Sequence, residues 1–198
     1  PDSGGRPFML AMSLVVVIIT ISSIIVPYTM IEEKEIHTMD ALLVSPASHS
    51  EIVIGKAIAG MVFGVVAAGV VFAFNRALVV HWELAIIATL CGTLMSVGIG
   101  LLLGTLFENV QNLAIWSGLP LLVLLVPLFL SEMISSRWPG VIQGIIPWIP
   151  SVSLSRAFLI SFSADPPVGQ YFLNLGVVLG FAILFLAAVV WVVRRYDR

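Results

Sequence analysis

Charge is what this sequence has least of. Its 198 residues include 9 Lys and Arg, 11 Asp and Glu and 3 His, so charged side chains make up 10% of the chain against 60% hydrophobic. A soluble domain carries roughly 25% charged residues, and that class is excluded. A net charge of −2 gives none of the basic excess that nucleic-acid binding needs. Cysteine is nearly absent too. Cys91 stands alone inside an apolar run, which rules out an intrachain disulfide or a cysteine-built metal cluster. No G-x-x-x-x-G-K-[ST] string occurs, so the chain has no phosphate-cradling loop, and Gly55–Lys56 lacks the glycine-rich lead-in of one. No H-E-x-x-H string occurs, and no Ser–His pair has supporting context. The Glu32–Glu33 pair invites comparison with intramembrane proteases, but His37 and His81 fall on opposite sides of the membrane in the topology below. There is also no N-x-[ST] acceptor, which suits a prokaryotic cell membrane.

What is present is apolar length. Mean hydropathy is +1.12, and runs of about 20 residues, each long enough for a hydrocarbon core of about 30 Å, recur along the chain. Five spans can be drawn: Phe8 to Ile31, Ile52 to Val80, Leu84 to Phe107, Leu113 to Met133 and Tyr171 to Val193. The expected fold is an all-α polytopic membrane protein forming one transmembrane domain over residues 1–198. Two segments stand out from it: 32–51, which is acidic, and 134–170, which is rich in Pro, Trp and Ser. The chain starts at Pro1 without a Met and reads as a fragment or processed chain with something missing upstream.

Basic residues set the orientation. Lys34, Lys56, Arg194, Arg195 and Arg198 gather on one side with His37 and His49, while Arg6, Arg76, Arg137 and Arg156 lie on the other. The positive-inside rule then puts the acidic segment and the C-terminus in the cytoplasm.

The acidic segment divides at Pro46. Before it, Ile36, Met39, Leu42 and Leu43 recur at helical spacing with Glu33, Lys34, Glu35, Thr38 and Asp40 on other faces. This is the pattern of an amphipathic helix at the membrane surface, although a solvated loop fits the spacing equally well. Pro46 disfavours helical geometry in the residue before it. Ser48 and Glu51 then have capping-box spacing, so a new helix starts there and runs into the second span.

Small residues form stripes on the spans. Gly92, Ser96, Gly100 and Gly104 fall four apart on the third, Gly60, Gly64 and Ala68 on the second, Gly176 and Gly180 on the fifth. Such stripes permit close helix approach, though small residues are common in membrane helices anyway. Pro120 and Pro127 interrupt the fourth span. Residues 134–170 hold Trp138, Pro139, Trp148 and Pro150 near Arg137 and Arg156. Their breaks make re-entrant or interfacial helices, and an interfacial anchor is the simpler expectation. Ionisable residues keep to the span ends, and only hydroxyls such as Ser22, Ser23, Thr89 and Thr93 lie deeper. Proton-coupled transport, which needs ionisable groups at mid-depth, is disfavoured.

The string from Glu32 to Gly60, EEKEIHTMDALLVSPASHSEIVIGKAIAG, resembles the signature of the type-2 ATP-binding-cassette exporter permeases. Its elements are Glu32, Glu33, Glu35, Thr38, Leu42, Leu43, Ser45, Pro46, Glu51, Gly55 and Lys56. The resemblance, over about Phe8 to Arg195, implies that the segment is a coupling helix docking into a cytoplasmic ATPase subunit. Glu32, Glu33, Glu35, Thr38, Leu42, Leu43 and Pro46 would contact that partner. It further implies a second permease half, a gate-like role for 134–170, and no cofactor on this chain, with ATP and Mg held by the ATPase. The family has six spans, so a first span, and in one branch an external domain, would be missing here. The alternative is an ATP-independent channel or a structural membrane subunit. A path with few charges suits lipids or hydrophobic drugs better than free ions.

Overall fold

A computed structural model describes residues 5–35, 49–133 and 144–196, and every regular element among them is helical. In chain order these are α1 (Arg6–Glu35), α2 (His49–Asn75), α3 (Trp82–Leu106), α4 (Val110–Trp116), α5 (Gly118–Met133), α6 (Pro150–Ser161) and α7 (Val168–Tyr196). Short 3-10 turns occupy Arg76–Leu78 and Ile146–Trp148. Backbone in hydrocarbon must satisfy its own N–H and C=O groups, and a helix does so within one segment. Among the described residues five stretches are long and apolar enough to cross a membrane: Arg6–Glu33, Val53–Leu78, Trp82–Leu106, Val110–Ser131 and Val168–Val193. The fourth is α4 and α5 together, broken at Ser117. The protein is an all-α polytopic membrane protein.

The third span is the axis of the bundle: it is 67% buried, against 22% for the second and 17% for the last. α1, α2, α6 and α7 all pack on α3. Small residues make that crowding possible. A Cβ on Gly100 would lie 2.7 Å from the carbonyl oxygen of Ser22, and one on Gly104 2.7 Å from Met30 Sδ and 3.2 Å from Pro27 Cα. Gly92 instead faces Leu154 of α6, 2.6 Å from a would-be Cβ. Ser96 donates to the Gly92 carbonyl (2.9 Å) and accepts from Ser23 Oγ through its own carbonyl (3.4 Å). The four-membered stripe therefore meets two partners: Gly92 meets α6, and the other three meet α1. On α2, Gly60 abuts Val26 and Val97, and Gly64 abuts Ser22 and Thr93. Gly176 and Gly180 have open space where a Cβ would go, so the α7 spacing is unused among the described residues. Gly98, off the stripe, is the α3 residue that lets α7 approach, 3.1 Å from Phe185 Cβ.

Several polar side chains in the core bond to nearby carbonyls, although the buried Ser22 hydroxyl has no partner among the described residues. Thr89 donates to Ala85 (2.8 Å) and Thr93 to Thr89 (2.7 Å), each within its own helix. At the other end, Tyr171 donates to the Leu84 carbonyl (2.6 Å) and the His81 N–H to the Ser161 carbonyl (2.9 Å). These two bonds tie the starts of α3 and α7 to the end of α6.

Among the described residues the Pro-, Trp- and Ser-rich stretch is largely helical and partly packed into the bundle. Residues 134–143 lie outside the described residues, and Trp148 and Arg156 are exposed. α6, however, is buried along most of its length. Ser151 Oγ donates to the Leu124 carbonyl of α5 (2.5 Å), and Phe158 packs with Phe72 and Phe162 at ring-centroid separations of 6.3 and 6.4 Å. Gly92, which Leu154 covers, is about 15 Å from the start of α3 at 1.5 Å per residue. That is half the thickness of a hydrocarbon core of about 30 Å, so α6 packs inside the bundle along the first half of α3. A serine-rich helix tolerates this depth because its hydroxyls find carbonyls: Ser153 uses Pro147 (2.7 Å) and Ser161 uses Phe158 (2.7 Å).

Candidate functional site

The polar end of α1 is where charge concentrates. Neither Gly nor Pro interrupts the chain between Tyr28 and Glu35, and Met30 and Ile31 continue the buried face of α1. The helix therefore runs on through Glu32, Glu33 and Glu35. Apolar length ends the first span at Ile31; in the structure Glu32, Glu33 and Glu35 are the last turn of α1. Thr38, Leu42, Leu43 and Pro46 lie outside the described residues.

Glu33 accepts a hydrogen bond from Lys56 Nζ at 2.5 Å. The Lys56 side chain is 12% exposed and that of Glu33 35%. Lys56 thus carries its charge into a largely apolar seam, where removing its partner would be costly. The contact depends on how closely α2 approaches α1. Gly60, one turn further along α2, lies where any Cβ would run into Val26 of α1. A cleft of about 220 Å³ opens beside the pair, bordered by Val26, Thr29, Gly60 and Phe63. Glu32, the neighbour of Glu33, is exposed. The acidic turn thus has one residue that holds α1 to α2 and another that faces outward.

The roles of two participants were not evident from the sequence. Lys56 stands 23 residues from Glu33, and no periodicity links residues on two different helices. Pro27 sits inside α1, one turn and a half before the acidic residues. It has no N–H, so the Ser23 carbonyl loses its usual helical donor, and it packs at the Gly100 and Gly104 contacts. The ladder of α1 is weakest there, between the membrane-buried part and its acidic end.

Among the described residues no group of His, Cys, Asp and Glu could hold a metal ion. The arrangement is a charged helix end, clamped to its neighbour and continuous with a helix that packs along the bundle axis. On another side, Ile115, Leu119, Leu122, Val126 and Phe129 of α4 and α5 are exposed apolar residues at alternating four- and three-residue spacing. That is the spacing of a helix-packing seam.

No curated protein and no solved structure matches the chain. The profile of the family described as ABC-2 family transporter protein matches residues 1–191. With nearly the whole chain matched, and with five spans around a small-residue axis, the protein belongs to the ABC-2 transporter permease family.

Proposed function

We propose that the chain is the membrane-spanning subunit of an ATP-driven exporter. Closure of a separate ATP-binding-cassette ATPase reaches the bundle through the segment following α1. The observation that carries this reading is the Glu33–Lys56 bridge at an uninterrupted helix end. A displacement applied at the acidic turn is shared by α1 and α2, and α1 delivers it along its packed face to α3. Glu32, Glu35, Thr38, Leu42, Leu43 and Pro46 form the contact with the ATPase, whose basic groups would complement the acidic turn. ATP and Mg belong to the ATPase, and this chain binds no cofactor.

The excess of Lys and Arg around the acidic segment and after α7 supports a cytoplasmic position for both. The exposed α4–α5 seam supports pairing with a second permease half. α6, reaching half-depth from the opposite side, is suited to serve as the outer gate. The apolar character of the spans favours an apolar or amphipathic substrate.

The test is the composition of the native complex. Purified in mild detergent, it should contain an ATP-binding-cassette ATPase in stoichiometric amount, identified by mass spectrometry. A homo-oligomer with no ATPase would overturn the exporter reading in favour of an ATP-independent channel or a structural subunit.

A further inference from the structure

A second feature lies far from the acidic turn, at the opposite ends of α2 and α3. A groove of about 390 Å³ runs between these helices, bordered by Val65, Gly69, Phe72, Arg76, Trp82 and Leu90. Its walls are apolar, and among the described residues Arg76 is its only charged lining residue. Arg76 sits in the 3-10 turn that ends the second span, is exposed, and has no ion-pair partner among the described residues. Glu83, a nearby carboxylate in the chain, lies 3.4 Å from His81 Nδ1. From Arg76 the groove descends to Val65 on α2, and from Trp82 to Leu90 on α3. At 1.5 Å per residue these are depths of about 16 and 12 Å, roughly one leaflet of a hydrocarbon core of about 30 Å. Gly69 faces open space, since a Cβ there would meet nothing within 4 Å. Phe72 and Trp82 pack together at 5.5 Å to form one end of the wall.

We infer that this groove is a binding site for one acyl chain of an anionic phospholipid, whose phosphate pairs with Arg76. The occupant follows from shape and charge. The groove has the length of a single chain within one leaflet, almost no polar surface to satisfy, and one guanidinium at interfacial depth. Arginine matches phosphate with a planar, bidentate fork. A zwitterionic lipid could fill the same groove but would gain less from the cation. The lipid is resident and is not cargo. The inference rests on membrane embedding alone and stands whether or not an ATPase is the partner.

The experiment uses the native complex reconstituted in nanodiscs of equal parts phosphatidylglycerol and phosphatidylcholine. Lipids retained after detergent extraction are then counted by native mass spectrometry. The unaltered protein should retain phosphatidylglycerol preferentially. Arg76→Gln should lower that preference about fivefold, the effect of one basic residue at an anionic surface, while still retaining a lipid. Gly69→Leu, which fills an open and exposed position, should lose the bound lipid of either kind. An unchanged preference in Arg76→Gln, or unchanged retention in Gly69→Leu, overturns the inference. So does a photo-crosslinker at Val65 that captures a polypeptide instead of a lipid, or loss of the lipid during turnover.

Discussion

Gly100→Ala is expected to destabilise the bundle by about 1–3 kcal/mol, the cost of overpacking a close contact, while Gly180→Ala leaves it no less stable. Alanine is the better helix former by up to about 1 kcal/mol, so propensity alone predicts that both changes stabilise. Contact geometry reverses the sign at one site only. The new Cβ at Gly100 would sit 2.7 Å from the Ser22 carbonyl oxygen, a backbone atom that cannot rotate away. At Gly180 it would meet nothing. Gly104→Ala falls between, because its nearest neighbour is the movable Met30 sulfur. Thermal unfolding in detergent, followed by loss of helical signal, ranks the three. Equal midpoints for Gly100→Ala and Gly180→Ala would mean that α1 and α3 are not in backbone contact.

The second large effect concerns the clamp. Glu33→Ala leaves the Lys56 ammonium, 12% exposed, without its carboxylate. Breaking a fully buried pair costs about 3–5 kcal/mol. The exposure of Glu33 moderates the cost here, to about 1–2 kcal/mol. Lys56→Glu alone should be worse, since it brings two carboxylates together. The double change Glu33→Lys with Lys56→Glu should recover most of the stability, giving a coupling that persists at raised salt because the pair is partly shielded from solvent. Additive losses in the double-mutant cycle would show that the two residues do not depend on each other.

Membrane class, span number and span positions were legible in the sequence because each follows from apolar length, a local property. The clamp was not. Glu33 and Lys56 were both visible as members of a motif, but the motif assigns both to one segment and gives no sign that they face each other across two helices. The packing of α6 into the bundle was half legible. Its prolines and serines mark a break, but only the contacts of Leu154 with Gly92 and of Ser151 with the Leu124 carbonyl give its depth. The spacing of Gly92, Ser96, Gly100 and Gly104 suggested a single packing stripe. A stripe on a straight helix does not say how many neighbours share it, and α6 and α1 divide this one. The shorter stripe of Gly176 and Gly180 is explained as well by the abundance of small residues in membrane helices, and it meets no neighbour among the described residues.

The clamp also dictates how coupling is tested. Reversing all three glutamates of the acidic turn would break the bridge along with any docking contact, and the two effects could not be separated. Glu32→Lys with Glu35→Lys leaves Glu33 and Lys56 in place. If the acidic turn docks on an ATPase, this double variant keeps the unfolding midpoint of the unaltered complex but loses transport-stimulated ATP hydrolysis by about tenfold, as expected for unfavourable charges at an interface. Stimulated hydrolysis and transport at the unaltered level, in a variant shown to be folded and assembled, would contradict coupling through this end of α1.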